Sequence, residues 1–139
     1  MFNVAKRRKR KMKLLLVEDE LGTRRELAKL LEFQGYHVTV ATDGLTALTR
    51  LRRQRFDLMI LDTNMPCLNG PELLAELRDR HVQTTVIGMS EVPKDRRHFE
   101  HFWCKKEPVK KLLALIGPLL PKVSVGRPRV PLTLCQSMA

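Results

Sequence analysis

A chain of 139 residues, 43% of them hydrophobic, is one domain's worth and can bury a core without disulfides or metal, and its apolar runs are far too short to cross a bilayer. The formal charge of +11 suggests a nucleic-acid binder until it is located. Lys6, Arg7, Arg8, Lys9, Arg10, Lys11 and Lys13 crowd the N-terminus and Lys122, Arg127 and Arg129 the last eighteen residues; neither stretch holds an acid, so residues 14–121 are close to neutral.

Residues 1–12 read as a basic tail, with Met12 a natural beginning for a domain that opens on a strand. Leu14-Leu15-Leu16-Val17 is the first buried strand, too short for the apolar core of a signal peptide, and it stops at Glu18, Asp19 and Glu20. A helix follows with Leu21, Leu27, Leu30, Leu31 and Phe33 as its apolar face and Gly35 as its stop. Residues 36–40 alternate as a second strand. Asp43-Gly44 turns into a helix carrying Leu45, Ala47, Leu48 and Leu51 on one face, with Arg50, Arg52, Arg53 and Arg55 at its C-terminal end, where cations suit the helix dipole.

Residues 56–61 are near-continuously apolar, the pattern of a strand buried on both faces, and end at Asp62. Pro66 and Gly70 keep the next segment from continuing as strand. Residues 71–80 form a helix with Leu73, Leu74 and Leu77 inward, and residues 84–89 a strand ending at Ser90-Glu91. The pattern then weakens: residues 92–100 allow at most a short helix. Residues 102–104 are a last strand and 108–120 a last helix, built on Val109, Leu112, Leu113, Leu115 and Ile116. Five alternations of strand and helix predict a doubly wound α/β domain over residues 13–121 with a five-stranded parallel sheet. Residues 122–139 form a second basic tail, in which Gly126-Arg127-Pro128-Arg129 resembles the core of an AT-hook without its basic flanks.

Cys67, Cys104 and Cys135 are an odd count without ligand spacing, read as reduced thiols of a cytoplasmic protein, and His37, His81, His98 and His101 show no metal-like convergence. The chemistry lies instead where strands end, because ligands bind at the carboxyl edge of open parallel sheets. Glu18, Asp19, Asp62 and Ser90 converge there, with Lys106 after a further strand. Carboxylates this close raise one another's pKa unless a cation separates them, and Mg²⁺, which takes hard oxygen ligands and binds phosphate, suits the set. Asp62 is then placed to act as a nucleophile forming an aspartyl phosphate, with Ser90 and Lys106 meeting its oxygens.

The stretches LLLVEDE (14–20), GYHVTVATDG (35–44), FDLMILDTNMP (56–66) and Asn69-Gly70 resemble the response-regulator receiver domain of two-component signalling, a flavodoxin-like fold. The resemblance implies that Asp62 accepts a phosphoryl group from a sensor histidine kinase or phosphotransfer protein and that Glu18, Asp19, Asp62 and the main-chain carbonyl of Asn64 hold Mg²⁺. It further implies that Ser90 and Trp103 act as switch residues and that an unidentified downstream protein reads the result, as in a signalling switch rather than a turnover enzyme. Three departures stand out. Glu91 replaces a small residue, the Ser90-to-Lys106 interval is about six residues short so that the fourth helix must be shortened or lost, and Glu107 interrupts the family's Lys-Pro pair. Two registers remain open: Trp103 with Lys106, which is preferred, or Phe102 with Lys105. The competing expectation is a degenerate receiver that binds a partner without phosphorylation; nucleic-acid contact through the tails is a further one. No output domain is expected in the remaining residues, so the chain reads as a single-domain regulator acting by protein contact or as a fragment of a longer chain.

Overall fold

The computed structural model describes residues 11–65, 70–79 and 84–119; residues 1–10 of the first tail, the whole second tail, Pro66, Cys67, Asn69, His81 and Cys135 lie outside them. Strands β1 (Lys13–Val17), β2 (His37–Ala41), β3 (Leu58–Asp62), β4 (Thr85–Ser90) and β5 (His101–Cys104) alternate with helices α1 (Leu21–Phe33), α2 (Gly44–Arg53), α3 (Gly70–Asp79) and α4 (Val109–Leu119). Between β4 and β5 there is only a 3₁₀ helix, Pro93–His98. All strand pairs are parallel, in the order β2-β1-β3-β4-β5. The strand order reverses between β1 and β3, which opens a crevice at their carboxyl ends.

Side chains alternate along each strand and so feed two cores. Leu14, Leu16, Leu58, Ile60, Ile87, Met89 and Trp103 face Leu27 and Leu31 of α1 and Leu112 and Ile116 of α4. Leu15, Val17, Met59 and Leu61 face Ala47 and Leu48 of α2 and Leu73 and Leu77 of α3. Every residue of β3 is buried, as its unbroken apolar run requires. Two residues assigned to the inner face of α1 lie outside it: Phe33 is 86% exposed and Leu21 50%. Neither is in phase with Leu27 and Leu31, which sit one helical turn apart. Leu45, 56% exposed, similarly falls off the Ala47–Leu48 face of α2.

Helix ends follow local chemistry. The Glu20 carboxylate caps α1, accepting from the N–H groups of Gly22 and Thr23. A bond from the Thr23 hydroxyl, together with these N–H bonds, holds its pKa below the ordinary glutamate value. Gly35, at φ 99°, provides the left-handed residue that stops the helix. Asp43 caps α2 through the Thr46 N–H at 2.7 Å.

The sheet face that a full fourth helix would cover is filled differently. A Cβ at Gly88 would lie 2.4 Å from the Phe99 ring, so the absence of a side chain in β4 is what admits that ring. Phe99 meets Phe102 at 6.1 Å between ring centroids, and the Arg96 guanidinium lies 5.2 Å from the centroid of Phe102. A two-ring, one-cation patch thereby stands in for a helix.

Candidate functional site

At the carboxyl edge of β1, β3, β4 and β5 there is a cleft of about 670 Å³ lined by Glu18, Asp19, Asp62, Asn64, Ser90 and Lys105, among others. Glu18 and Asp62 are buried at the ends of β1 and β3, Asp62 paired with Met89 of β4 and the Glu18 N–H bonded to the Ala41 carbonyl at 3.1 Å. One carboxylate oxygen from each of Glu18, Asp19 and Asp62 lies within 4.8 Å of the others, close enough to hold one cation. The three acids therefore fit a hard divalent ion such as Mg²⁺. Asp62 uses one oxygen to accept the Asn64 N–H at 3.0 Å and the other to accept Lys105 Nζ at 3.0 Å. Lys105 Nζ also donates to Glu18 at 2.8 Å, and Arg24 donates to the main-chain carbonyls of Glu18 and Asp19.

This crowding has an electrostatic signature. Burial raises the Glu18 pKa to about 7; Lys105 pulls it down, but the neighbouring Asp62 adds to the rise. Burial also works against the Lys105 ammonium, yet its hydrogen bonds to Glu18 and Asp62 outweigh that and hold its pKa above the ordinary lysine value.

The preferred lysine register is corrected by this geometry. Lys106 is exposed and does not line the cleft. Lys105 occupies the position because its N–H continues the β4–β5 pairing, bonding the Ser90 carbonyl at 2.8 Å, and its side chain leaves the strand beside the acids. The aromatic partner shifts with it. Trp103 points into the α1/α4 core, its indole N–H bonded to the Pro108 carbonyl at 3.2 Å, whereas Phe102 faces Phe99 and Arg96. Counting three residues back from Lys105 reaches Phe102, the alternative left open by the sequence. Glu107, read as an interruption, serves the local backbone, since its carboxylate accepts the Cys104 N–H at 3.2 Å and closes the turn after β5. That bond comes first among the causes that lower its pKa.

Ser90 is buried at the end of β4, but its hydroxyl is engaged. It donates to the Asp95 carboxylate at 2.7 Å and accepts the Val92 N–H at 2.9 Å. The same oxygen of Asp95 accepts the Thr63 hydroxyl at 3.1 Å. Asp95 was not anticipated from the sequence, since nothing in a weakly patterned stretch singles out one acid among Glu91, Asp95 and Glu100.

A five-stranded parallel sheet in this order, with three acids, a lysine and a serine at its carboxyl edge, places the chain among doubly wound, flavodoxin-like α/β domains. Residues 14–102 match the family model described as response regulator receiver domain, and the chain belongs to that family. Sensor protein EvgS of Escherichia coli K12 is 36% identical over 80 residues, covering 58% of this chain and 7% of that protein. The chain spans well under two thirds of the length of the curated relatives it matches. Among solved structures, chemotaxis protein CheY4 of Vibrio cholerae superposes with a TM-score of 0.73 at 26% identity, covering 80% of this chain and 100% of that one. Response regulator TrrA of Thermotoga maritima, in a complex with Mg²⁺ and BeF, gives 0.72 at 25%, covering 78% and 99%. No helix among the described residues is long and apolar enough to cross a membrane.

Proposed function

We propose that residues 13–121 are a cytoplasmic phosphoacceptor receiver that takes a phosphoryl group from a sensor histidine kinase, or a phosphotransfer protein, onto Asp62 and signals by protein contact. The observation that carries this reading is the convergence of Glu18, Asp19 and Asp62 within 4.8 Å beside a lysine that bonds two of them. A carboxylate oxygen of Asp62 forms the new O–P bond while the donor's P–N bond breaks and its electron pair returns to the imidazole nitrogen. Lys105 moves from bonding carboxylates to bonding a phosphoryl oxygen, and the Asn64 N–H keeps Asp62 oriented. Glu18, Asp19, Asp62 and the carbonyl of Asn64 would hold Mg²⁺, which would supply the positive charge that lets these acids and a phosphoryl group coexist. The family placement and the Mg²⁺–BeF complex of TrrA support this assignment.

Incubation with acetyl phosphate or a phosphohistidine donor and Mg²⁺ is expected to add one phosphoryl group, and Asp62→Asn is expected to abolish the addition. Equal behaviour of the two proteins, or no incorporation by either, rejects the assignment.

The second reading, an interaction module independent of phosphorylation, is favoured by the engagement of Ser90 with Asp95 and by the 3₁₀ segment in place of a fourth helix. It predicts normal Mg²⁺ binding with no NMR change beyond the cleft when beryllofluoride is added. The contacts of the basic tails, with nucleic acid or otherwise, are separable from either reading by salt-dependent DNA binding of the whole chain against residues 12–121.

A further inference from the structure

We infer that Asp95 is a built-in competitor for the phosphoryl group: it holds the Ser90 hydroxyl in the unmodified protein and must be displaced before Ser90 can serve the phosphorylated one. The inference rests on the receiver reading and deepens it.

A serine hydroxyl has one proton to donate. Here it is given to Asp95 at 2.7 Å, while the hydroxyl oxygen takes the Val92 N–H. Asp95 lines the same cleft as Asp62, and Thr63, the residue after Asp62, donates to the same Asp95 oxygen as Ser90 does. The carboxylate therefore ties the end of β3 to the end of β4 through two hydroxyls. It is delivered by the 3₁₀ helix, whose turn is fixed by the Asp95 N–H to the Val92 carbonyl at 3.1 Å.

A phosphoryl group on Asp62 adds up to about two negative charges and three strong acceptors to this cleft. It and Asp95 cannot both receive the single Ser90 proton, and both are anions. When the phosphoryl group takes the proton, Asp95 loses its shorter bond and is repelled from the cleft. The short segment that replaces a fourth helix is thereby the part that moves. Asp95 acts through Ser90 and is a positioning residue, one that holds the unmodified state and shortens occupancy of the modified one.

The experiment is a double-mutant cycle on the full 139-residue chain, reading the affinity for beryllofluoride in saturating Mg²⁺ for wild type, Asp95→Ala, Ser90→Ala and the double variant. Asp95→Ala is expected to tighten binding about tenfold, in line with a charge-assisted hydrogen bond, and to change it less than about twofold when Ser90 is already alanine. Asp95→Asn, which keeps the shape and one acceptor oxygen but loses the charge, is expected to fall between and covers the case that alanine fails to fold. Unchanged or weaker binding in Asp95→Ala and Asp95→Asn overturns the inference. So does equal tightening in both Ser90 backgrounds, which assigns the effect to charge repulsion alone. A wild type that binds no beryllofluoride rejects the receiver reading itself, and the inference with it.

Discussion

At the scale of single residues, one lysine and one glutamate set the state of the cleft. Lys105 bonds two buried carboxylates, so truncating it leaves like charges side by side. Lys105→Ala is expected to cost about 2 kcal/mol in urea denaturation and to slow phosphorylation by acetyl phosphate at least tenfold; Lys106→Ala, on an exposed side chain, is expected to stay within about 0.5 kcal/mol. A larger effect of Lys106→Ala than of Lys105→Ala would return the register to Trp103 and Lys106. Glu18 titrates near 7 instead of 4.5 because it is buried beside Asp62. With a folded pKa above the unfolded one, the native state holds more protons between pH 4.5 and 7, so this group's contribution to stability falls as pH rises through that window. Mg²⁺ needs the ionised form, and its affinity is expected to rise over the same range. Calorimetric Mg²⁺ titrations on either side of that window, at about pH 5 and about pH 8, check this; Glu18→Gln is expected to weaken binding and flatten its pH dependence.

At the scale of elements, the segment from β4 to β5 departs most from the family pattern, and its packing explains how the sheet tolerates the loss of a helix. Gly88 is an unfavourable strand residue by propensity, yet any side chain there meets the Phe99 ring. Gly88→Ala is expected to destabilise by about 1–3 kcal/mol through overpacking, and Phe99→Ala is expected to relieve part of that cost in the double variant. Additive losses in chemical denaturation would show that the ring and the glycine are not coupled. The same segment carries Asp95, so its local stability and the engagement of Ser90 belong to one element.

At the scale of the whole molecule, the two cores hold four strand ends at a common edge, and the cleft is a consequence of parallel order rather than of any one contact. A ligand that binds only the folded edge stabilises all of it: Mg²⁺ at about one hundred times its dissociation constant is expected to add about 2.7 kcal/mol, read as a higher midpoint in thermal unfolding, and Asp19→Ala is expected to remove most of that gain. The alternation of elements, the parallel sheet and the placing of Glu18, Asp19, Asp62 and Ser90 at strand ends were legible in the chain's residue pattern alone. These follow from hydrophobic period and strand length, which are local properties of the chain. That pattern could not decide which of two adjacent lysines reaches the acids, because that depends on how β5 registers against β4. Nor could it find Asp95 or the backbone contact of Glu107, since a hydrogen bond between a loop carboxylate and a hydroxyl or N–H leaves no periodic trace. Phe33 and Leu21 show the same limit from the other side, for an apolar residue at the margin of a helix face is assigned inward or outward only by what packs against it. Local pattern thus fixed the sheet and its acids, while tertiary register decided which side chains meet them.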